Sequence, residues 1–293
     1  MASLKQIKTK IKSNQNLKKI TKALEIISTI KLQKNKSHAE WLKDYFIDLV
    51  ELISQVSHRI DLFNDKLTTD TDRGLVILVT TEKGLCGGIN SKILKLFHQW
   101  RDKSQIDVFV IGKKWFEFAG RNWYNIVWYL NTKDDITTSD LVPLITYIDQ
   151  NSFKYSKIHI VFNFFKNTIT QIPTIFKLYP IDKASVDEFK SQLDISFDQS
   201  KEDSKAFRDY LLLEPNPEVI EEQLYKQIRT YLILSMIIQN KICEHASRMI
   251  AMKNAKDNCS KFISILMLKF NKLRQASITQ EISEITSAKM AME

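Results

Sequence analysis

The chain has 293 residues, with 44% hydrophobic and 26% charged side chains and a formal net charge of +9. That balance belongs to a chain able to bury a core and excludes disorder throughout. No apolar run reaches the length of a bilayer span, the N-terminus has no secretory h-region, and three cysteines make neither a disulfide framework nor a metal box.

The positions of the helix breakers organise the chain. All six Gly lie between Gly74 and Gly120, and all five Pro lie between Pro143 and Pro217. Residues 1–73 and 218–293 hold neither, so nothing in them stops a helix. The pattern predicts a long N-terminal helix over 1–73 and a central α/β domain over 74–181. A connector over 182–217 and a long C-terminal helix over 218–293 follow.

In the N-terminal helix Leu4, Ile7, Ile11, Leu17, Ile20, Leu24 and Ile27 keep three/four spacing, with one slip near Asn14. Helix is expected to continue through Trp41, Phe46, Leu49, Ile53 and Ile60.

In the centre, 74–81, 106–112, 125–130, 158–165 and 169–179 read as strands from their β-branched and aromatic runs. The last two read as a hairpin. Helices are expected over 91–103, 114–121 and 139–150, the last capped by Ser139. Strands alternating with helices argue for a Rossmann-like sheet. Residues 182–209, with eight acids against five bases, read as a solvated, mobile connector.

The C-terminal helix carries a heptad seam. Positions 224, 228, 231, 235, 238, 242, 245, 249, 252, 256, 259, 263, 266, 270, 273 and 277 repeat four and three without interruption, and twelve of the sixteen are apolar. This predicts a coiled coil about 100 Å long at 1.5 Å per residue. His245 on the seam reads as a register residue, Cys259 as core filler, and Lys256 as a place where the coil loosens. Two such helices at opposite ends of one chain can bury their seams on each other, antiparallel; the alternative is pairing with a second copy. Residues 1–36 hold ten Lys and one acid, and 241–274 hold eight bases and two acids, so antiparallel pairing concentrates positive field at one end. An acidic protein surface fits that field better than nucleic acid, since no nucleic-acid motif or aromatic interleaving is present.

The loop Gly84-Leu85-Cys86-Gly87-Gly88-Ile89-Asn90 follows the first strand and opens a helix. It lacks both phosphate-loop spacings, so a tight turn allowing close backbone approach is the better reading. Cys86 there reads as structural, not nucleophilic.

Three stretches carry a family resemblance: residues 3–31, the loop 84–90, and the C-terminal blocks 244–258 and 270–285. They resemble the γ subunit of F-type ATP synthases. The resemblance implies an α/β fold with a long antiparallel coiled coil, its terminal helices forming a shaft with the Rossmann-like domain between them. It implies a central rotor inside an α3β3 hexamer of α and β subunits, one copy per hexamer, with the ε subunit and the c-ring at the lower domain. Chemistry would belong to the partners: no catalytic, cofactor or metal residue is expected here, and ATP/ADP and Mg would sit on partner subunits. The complex would lie peripherally on the cytoplasmic face of the membrane, or on the matrix side in an organelle. By position, Lys22, Leu24, Arg274, Gln275, Thr279 and Glu281 would face the hexamer. Gly84, Leu85, Cys86, Gly87, Gly88 and Asn90 would lie near ε and the c-ring. The chain departs from the family in having Leu24 for Met and Glu82-Lys83 for Asp-Arg, and it lacks the dithiol insertion of chloroplast relatives. An F1-like motor driving other work shares these features. A free-standing coiled-coil scaffold or nucleic-acid binder is the more distant alternative.

Overall fold

The structure is a computed structural model describing residues 4–56, 73–100, 106–114, 125–181 and 216–292, with the single positions 187, 189, 191 and 214. The elements are α1 (Leu4–Val56), β1 (Gly74–Val79), α2 (Ile89–Trp100), β2 (Ile106–Ile111), β3 (Asn125–Leu130), α3 (Val142–Asn151), β4 (Lys157–Phe165), β5 (Gln171–Tyr179) and α4 (Pro217–Met292). The five strands stand where the β-branched runs place them. The sheet order is β3-β2-β1-β4-β5, parallel except for the β4–β5 hairpin. Helix expected over 114–121, Ile60 of the first helix, and nearly all of the connector 182–209 lie outside the described residues.

Two local readings change. The turn before α3 is a 3-10 turn, Thr138–Leu141. Its start is fixed by Thr137, whose N–H and hydroxyl both donate to the Asp140 carboxylate at 2.9 and 3.0 Å, so Ser139 is not the cap. Phe189, inside the supposed solvated connector, is fully buried, with its ring edge-on to Phe46 and Phe176. An aromatic side chain of that size contributes too much by burial to stay in water when a pocket is at hand.

The chain divides into two compact units, one of residues 1–30 with 248–293 and one of residues 31–247. In the larger unit α2 covers one sheet face: Ile93 and Phe97 pack with Val76, Leu78, Val108, Val110 and Val161. Stretches of α1 and α4 belong to the same unit. Lys31 of α1 and His245 of α4 both face Asp134, while Phe46 of α1 stacks on Tyr231 of α4 with centroids 4.7 Å apart. Numbers rising along one helix meet numbers falling along the other, so the two are antiparallel. From Tyr231 to Ala246 every residue of α4 is buried.

In the smaller unit the α4 seam is as expected. From 261 to 292 the only residues not fully exposed are Ile263, Leu266, Phe270, Leu273 and Ser277, all seam positions. The α1 seam differs. Its protected residues are Leu4, Ile7, Ile11, Asn14, Thr21, Leu24, Glu25 and Ser28, and in the larger unit the stripe runs on through Leu32, Asn35, Leu42, Phe46, Leu49 and Ile53. This is one heptad register with no slip. Leu17, Ile20 and Ile27, read as seam residues, are 48–57% exposed. A breaker-free helix keeps a single register over its length, and that outweighs local apolarity. The polar seam residues fit because they bond their own backbone: Asn14 to Lys10 O, Thr21 to Leu17 O, Ser28 to Leu24 O.

Lys256 is likewise held, not loosened. Its ammonium donates to Glu25 Oε2 at 2.7 Å, seam position to seam position, with buried Met252 and Cys259 on either side. The hydrogen bond to Glu25 holds the Lys256 pKa above its ordinary 10.5. A raised folded pKa means the pair stabilises fully below the ordinary lysine value and fades as pH rises beyond it. Thermal unfolding of the wild-type chain and of Lys256→Met should therefore differ at pH 8 and converge as pH climbs past 10.5.

Candidate functional site

Two surfaces emerge, one in each unit. The first is the outer face of the helix pair in the smaller unit. Leu17, Ile20, Ile26, Ile27 and Ile30 of α1 are exposed, as are Phe262, Ile265, Met267 and Leu268 of α4. After Ser277 every described residue of α4 is exposed to Met292, and Ile278, Ile282 and Ile285 repeat at helical spacing. Burying one such side chain is worth about 1.5–3 kcal/mol. A surface forgoing that many times over is one built to be covered.

The same unit is strongly basic. Its 76 residues hold fifteen Lys and Arg against five Asp and Glu, while the other 217 hold 28 against 29. The entire positive excess of the protein therefore sits on the apolar-faced helix pair. A covering partner would need apolar surface with negative charge around it.

The sequence-predicted contact residues fall on this surface. Lys22, Arg274, Gln275, Thr279 and Glu281 are exposed and Leu24 is half-buried. Thr279 donates to Gln275 O and Ser277 to Glu281 Oε1, bonds internal to one helix, so their outer faces stay open. Leu17, Ile20 and Ile27 form a real second stripe, read in sequence as the inner seam but turned outward, with half-buried Leu24 at its edge.

The second surface is the glycine loop. Cys86 is buried, its thiol 3.6 Å from Thr81 Oγ1 and 3.7 Å from Lys83 O. Asn90 closes the loop, donating to Thr81 Oγ1 at 2.7 Å and accepting from the Thr81 N–H at 3.3 Å. Leu85 and Gly87 both have φ of 62°, and Leu85 is 66% exposed at the tip. The loop lies at the carboxyl ends of β1 and β4, flanking strands that run parallel, where open α/β sheets usually hold ligands. In this chain α4 fills that place. Ser247 donates to Cys86 O at 2.6 Å, Cys243 donates to Asn163 O, and Cys243 packs with Cys86, Ile89 and Phe165. Gly87 thus permits the close approach of a helix, its Cβ position lying 3.3 Å from Ser247 Oγ. Burial also pushes the Cys243 thiol pKa up, away from reactivity.

A polar network that sequence reasoning missed surrounds this junction. Glu82 accepts from the Thr132 N–H at 2.9 Å, Thr132 O accepts from buried Lys241, and Asp134 meets Lys31 and His245. Lys31 leads the charges that, against the opposing pull of burial, hold the Asp134 carboxyl below its ordinary value. The signal was available: Asn240, Lys241, Glu244 and His245 follow directly on the most apolar run of the chain. His245 is thus a buried helix residue in this junction.

Among the described residues no helix is long and apolar enough to cross a membrane. The chain matches the ATP synthase family over residues 3–292. It is 34% identical to the ATP synthase gamma chain of Buchnera aphidicola, over all of this chain and 99% of that one. It is 31% identical to the gamma chain of Actinobacillus pleuropneumoniae over the whole of both. Its fold is similar to a rotor chain of the Euglena gracilis mitochondrial ATP synthase (TM-score 0.62, 15% identity, 94% of this chain and 98% of that one). It is also similar to a central-stalk chain of the Tetrahymena thermophila enzyme (TM-score 0.58, 19% identity, 80% and 99% covered).

Gly87 tests the loop reading. A Cβ there would meet Ser247 Oγ at 3.3 Å, on backbone already in the left-handed region. Gly87→Ala should cost about 1–2 kcal/mol in denaturant unfolding from the backbone conformation alone.

Proposed function

Because the chain belongs to the ATP synthase γ family, we infer that it works as the central shaft of the rotary complex, coupling its own turning to ATP synthesis or hydrolysis around it. The observation that carries the reading is the outer face of the helix pair. Exposed apolar stripes on a net-positive, breaker-free coiled coil suit a sleeve of subunits lined by apolar and acidic groups.

The sleeve is the α3β3 hexamer of α and β subunits, with one copy of this chain along its axis. The ε subunit and the c-ring meet the α/β domain, where the exposed tip Leu85 of the glycine loop offers an apolar contact. The complex sits peripherally at the membrane, on the cytoplasmic face in a bacterium or the matrix face in an organelle.

The mechanism is mechanical. An asymmetric shaft presents a different face to each of three β subunits and so holds each in a different nucleotide state. Rotation exchanges the faces, and with them the states. The chain is non-catalytic in this scheme: ATP, ADP and Mg are bound by the partners, and its own residues only contact and push. Lys22, Leu24, Arg274, Gln275, Thr279 and Glu281 make those contacts. The basic field steers assembly, an effect that weakens with salt.

Isolation of the complex with one copy of the chain per hexamer, turning under ATP, is the expected result. A homodimer free of α and β would contradict the reading. Hydrogen bonds to charged groups contribute about 1.5–3 kcal/mol each, so Arg274→Ala with Gln275→Ala should weaken shaft–sleeve affinity by at least about tenfold and lower the torque. Unchanged ATP-driven rotation in that variant would remove these two residues from the contact set.

A further inference from the structure

The hydrophobic attraction is non-directional, so a buried helix resists rotation about its own axis through the interlocking of its side chains and through its hydrogen bonds. The α4 segment Tyr231–Ala246 is buried on every side, much of it by Ile, Leu and Met. Interlocked apolar side chains resist twist sterically but can repack, since none requires one particular partner. Hydrogen bonds behave differently, since they fail once donor and acceptor shift by about 1 Å. Side-chain atoms near 5 Å from the axis move that far in a rotation of about 10°.

Six hydrogen bonds between described residues tie α4 to the rest of the larger unit. Arg229 donates to Asp149 of α3. Asn163 of β4 donates to Asn240 Oδ1 twice, from its backbone N–H at 3.2 Å and its Nδ2 at 2.9 Å. Lys241 donates to Thr132 O at 3.4 Å, Cys243 to Asn163 O at 3.4 Å, and Ser247 to Cys86 O at 2.6 Å. Their partners lie on α3, β4, the loop after β3 and the loop after β1, so the helix is held from several sides.

The Asn163–Asn240 pair is the centre of this set. Both residues are at most 1% exposed. Asn163 Oδ1 and Asn240 Nδ2 are buried with no hydrogen-bond partner. Their desolvation offsets much of what the two bonds contribute, so the pair adds little stability for its chemistry. What it does add is position, because Asn240 can accept from both Asn163 donors at only one rotation and one height of the helix.

We propose that Asn163 and Asn240, supported by Lys241 and Ser247, key α4 to the α/β domain and carry torque between them. They are positioning residues, and the proposal rests on the shaft reading given above. Keyed in this way, α4 turns with the sheet as one body.

The test is torsional stiffness, measured in the assembled complex. The hexamer is fixed to a surface, a bead is attached to the α/β domain, and stiffness is read from its angular fluctuation. Asn163→Leu with Asn240→Leu replaces both side chains by apolar groups of similar size and leaves the Asn163 N–H, one buried donor, without its side-chain acceptor. The pair supplies two of the six directional bonds between described residues, so stiffness should fall by up to about a third. ATP hydrolysis by the complex should hold while melting temperature falls by only a few degrees, a split that a purely structural role would not give. Ser247→Ala, which removes one bond and opens no cavity, should lower stiffness less, in the same direction. It serves if the double variant fails to assemble. Wild-type stiffness in either assembled variant overturns the proposal. A wild-type chain that never enters a rotating complex overturns the shaft reading, and this proposal with it.

Discussion

An unbroken helix cannot change its mind about which face it presents. With no Gly or Pro in 1–73 or 218–293, neither terminal helix has a place to kink, and each keeps one heptad register. That constraint decides the rest. It sends Asn14, Thr21 and Ser28 into the seam, although Ile20 and Ile27 stand one position from Thr21 and Ser28. It leaves Leu17, Ile20 and Ile27 facing out, where an isolated protein gains nothing from them. The apparent waste is the functional surface: the apolarity spent on the outside is what a surrounding sleeve would bury.

The two units divide the labour by chemistry. The smaller carries the whole positive excess and the exposed apolar stripes, and a seam ion pair, Lys256–Glu25, sits between buried Met252 and Cys259. The larger is close to neutral and holds the polar bonds that fix α4 against strands and loops. Its glycine loop and the parallel strands beside it make the crevice that other α/β folds give to a ligand. Here α4 occupies it, so the same architecture grips a helix in place of a nucleotide.

Much of this was legible in the sequence, and the failures have physical causes. The strands were readable because a sheet buried on both faces selects continuous β-branched runs such as Leu75–Val79. The α4 seam was readable because apolar residues sit at its inner positions. The α1 seam was not, because apolar residues there serve the outside, and periodicity alone cannot tell an inner stripe from an outer one. Thr137 displaced Ser139 as the start of the turn because Asp140 is placed to accept from it. Phe189 is buried against Phe176 and against Phe46, which stands far away in sequence. The Asn163–Asn240 pair spans a similar gap and has no local signature beyond a polar residue after an apolar run. Of the residues expected to make contacts, Lys22, Arg274, Gln275, Thr279 and Glu281 are exposed and Leu24 is half-buried, and exposure alone does not name what touches them.

The register of α1 is the claim on which the outer surface depends, and thiol accessibility reads it directly. Single cysteines placed from position 17 to position 28 in the isolated chain can be labelled with a maleimide, the three native thiols being buried. Cysteines at 21 and 28 should label slowly, and those at 17, 20 and 27 quickly. Fast labelling at 21 and 28 with protection at 17, 20 and 27 would turn the helix over and remove the surface on which the shaft reading stands.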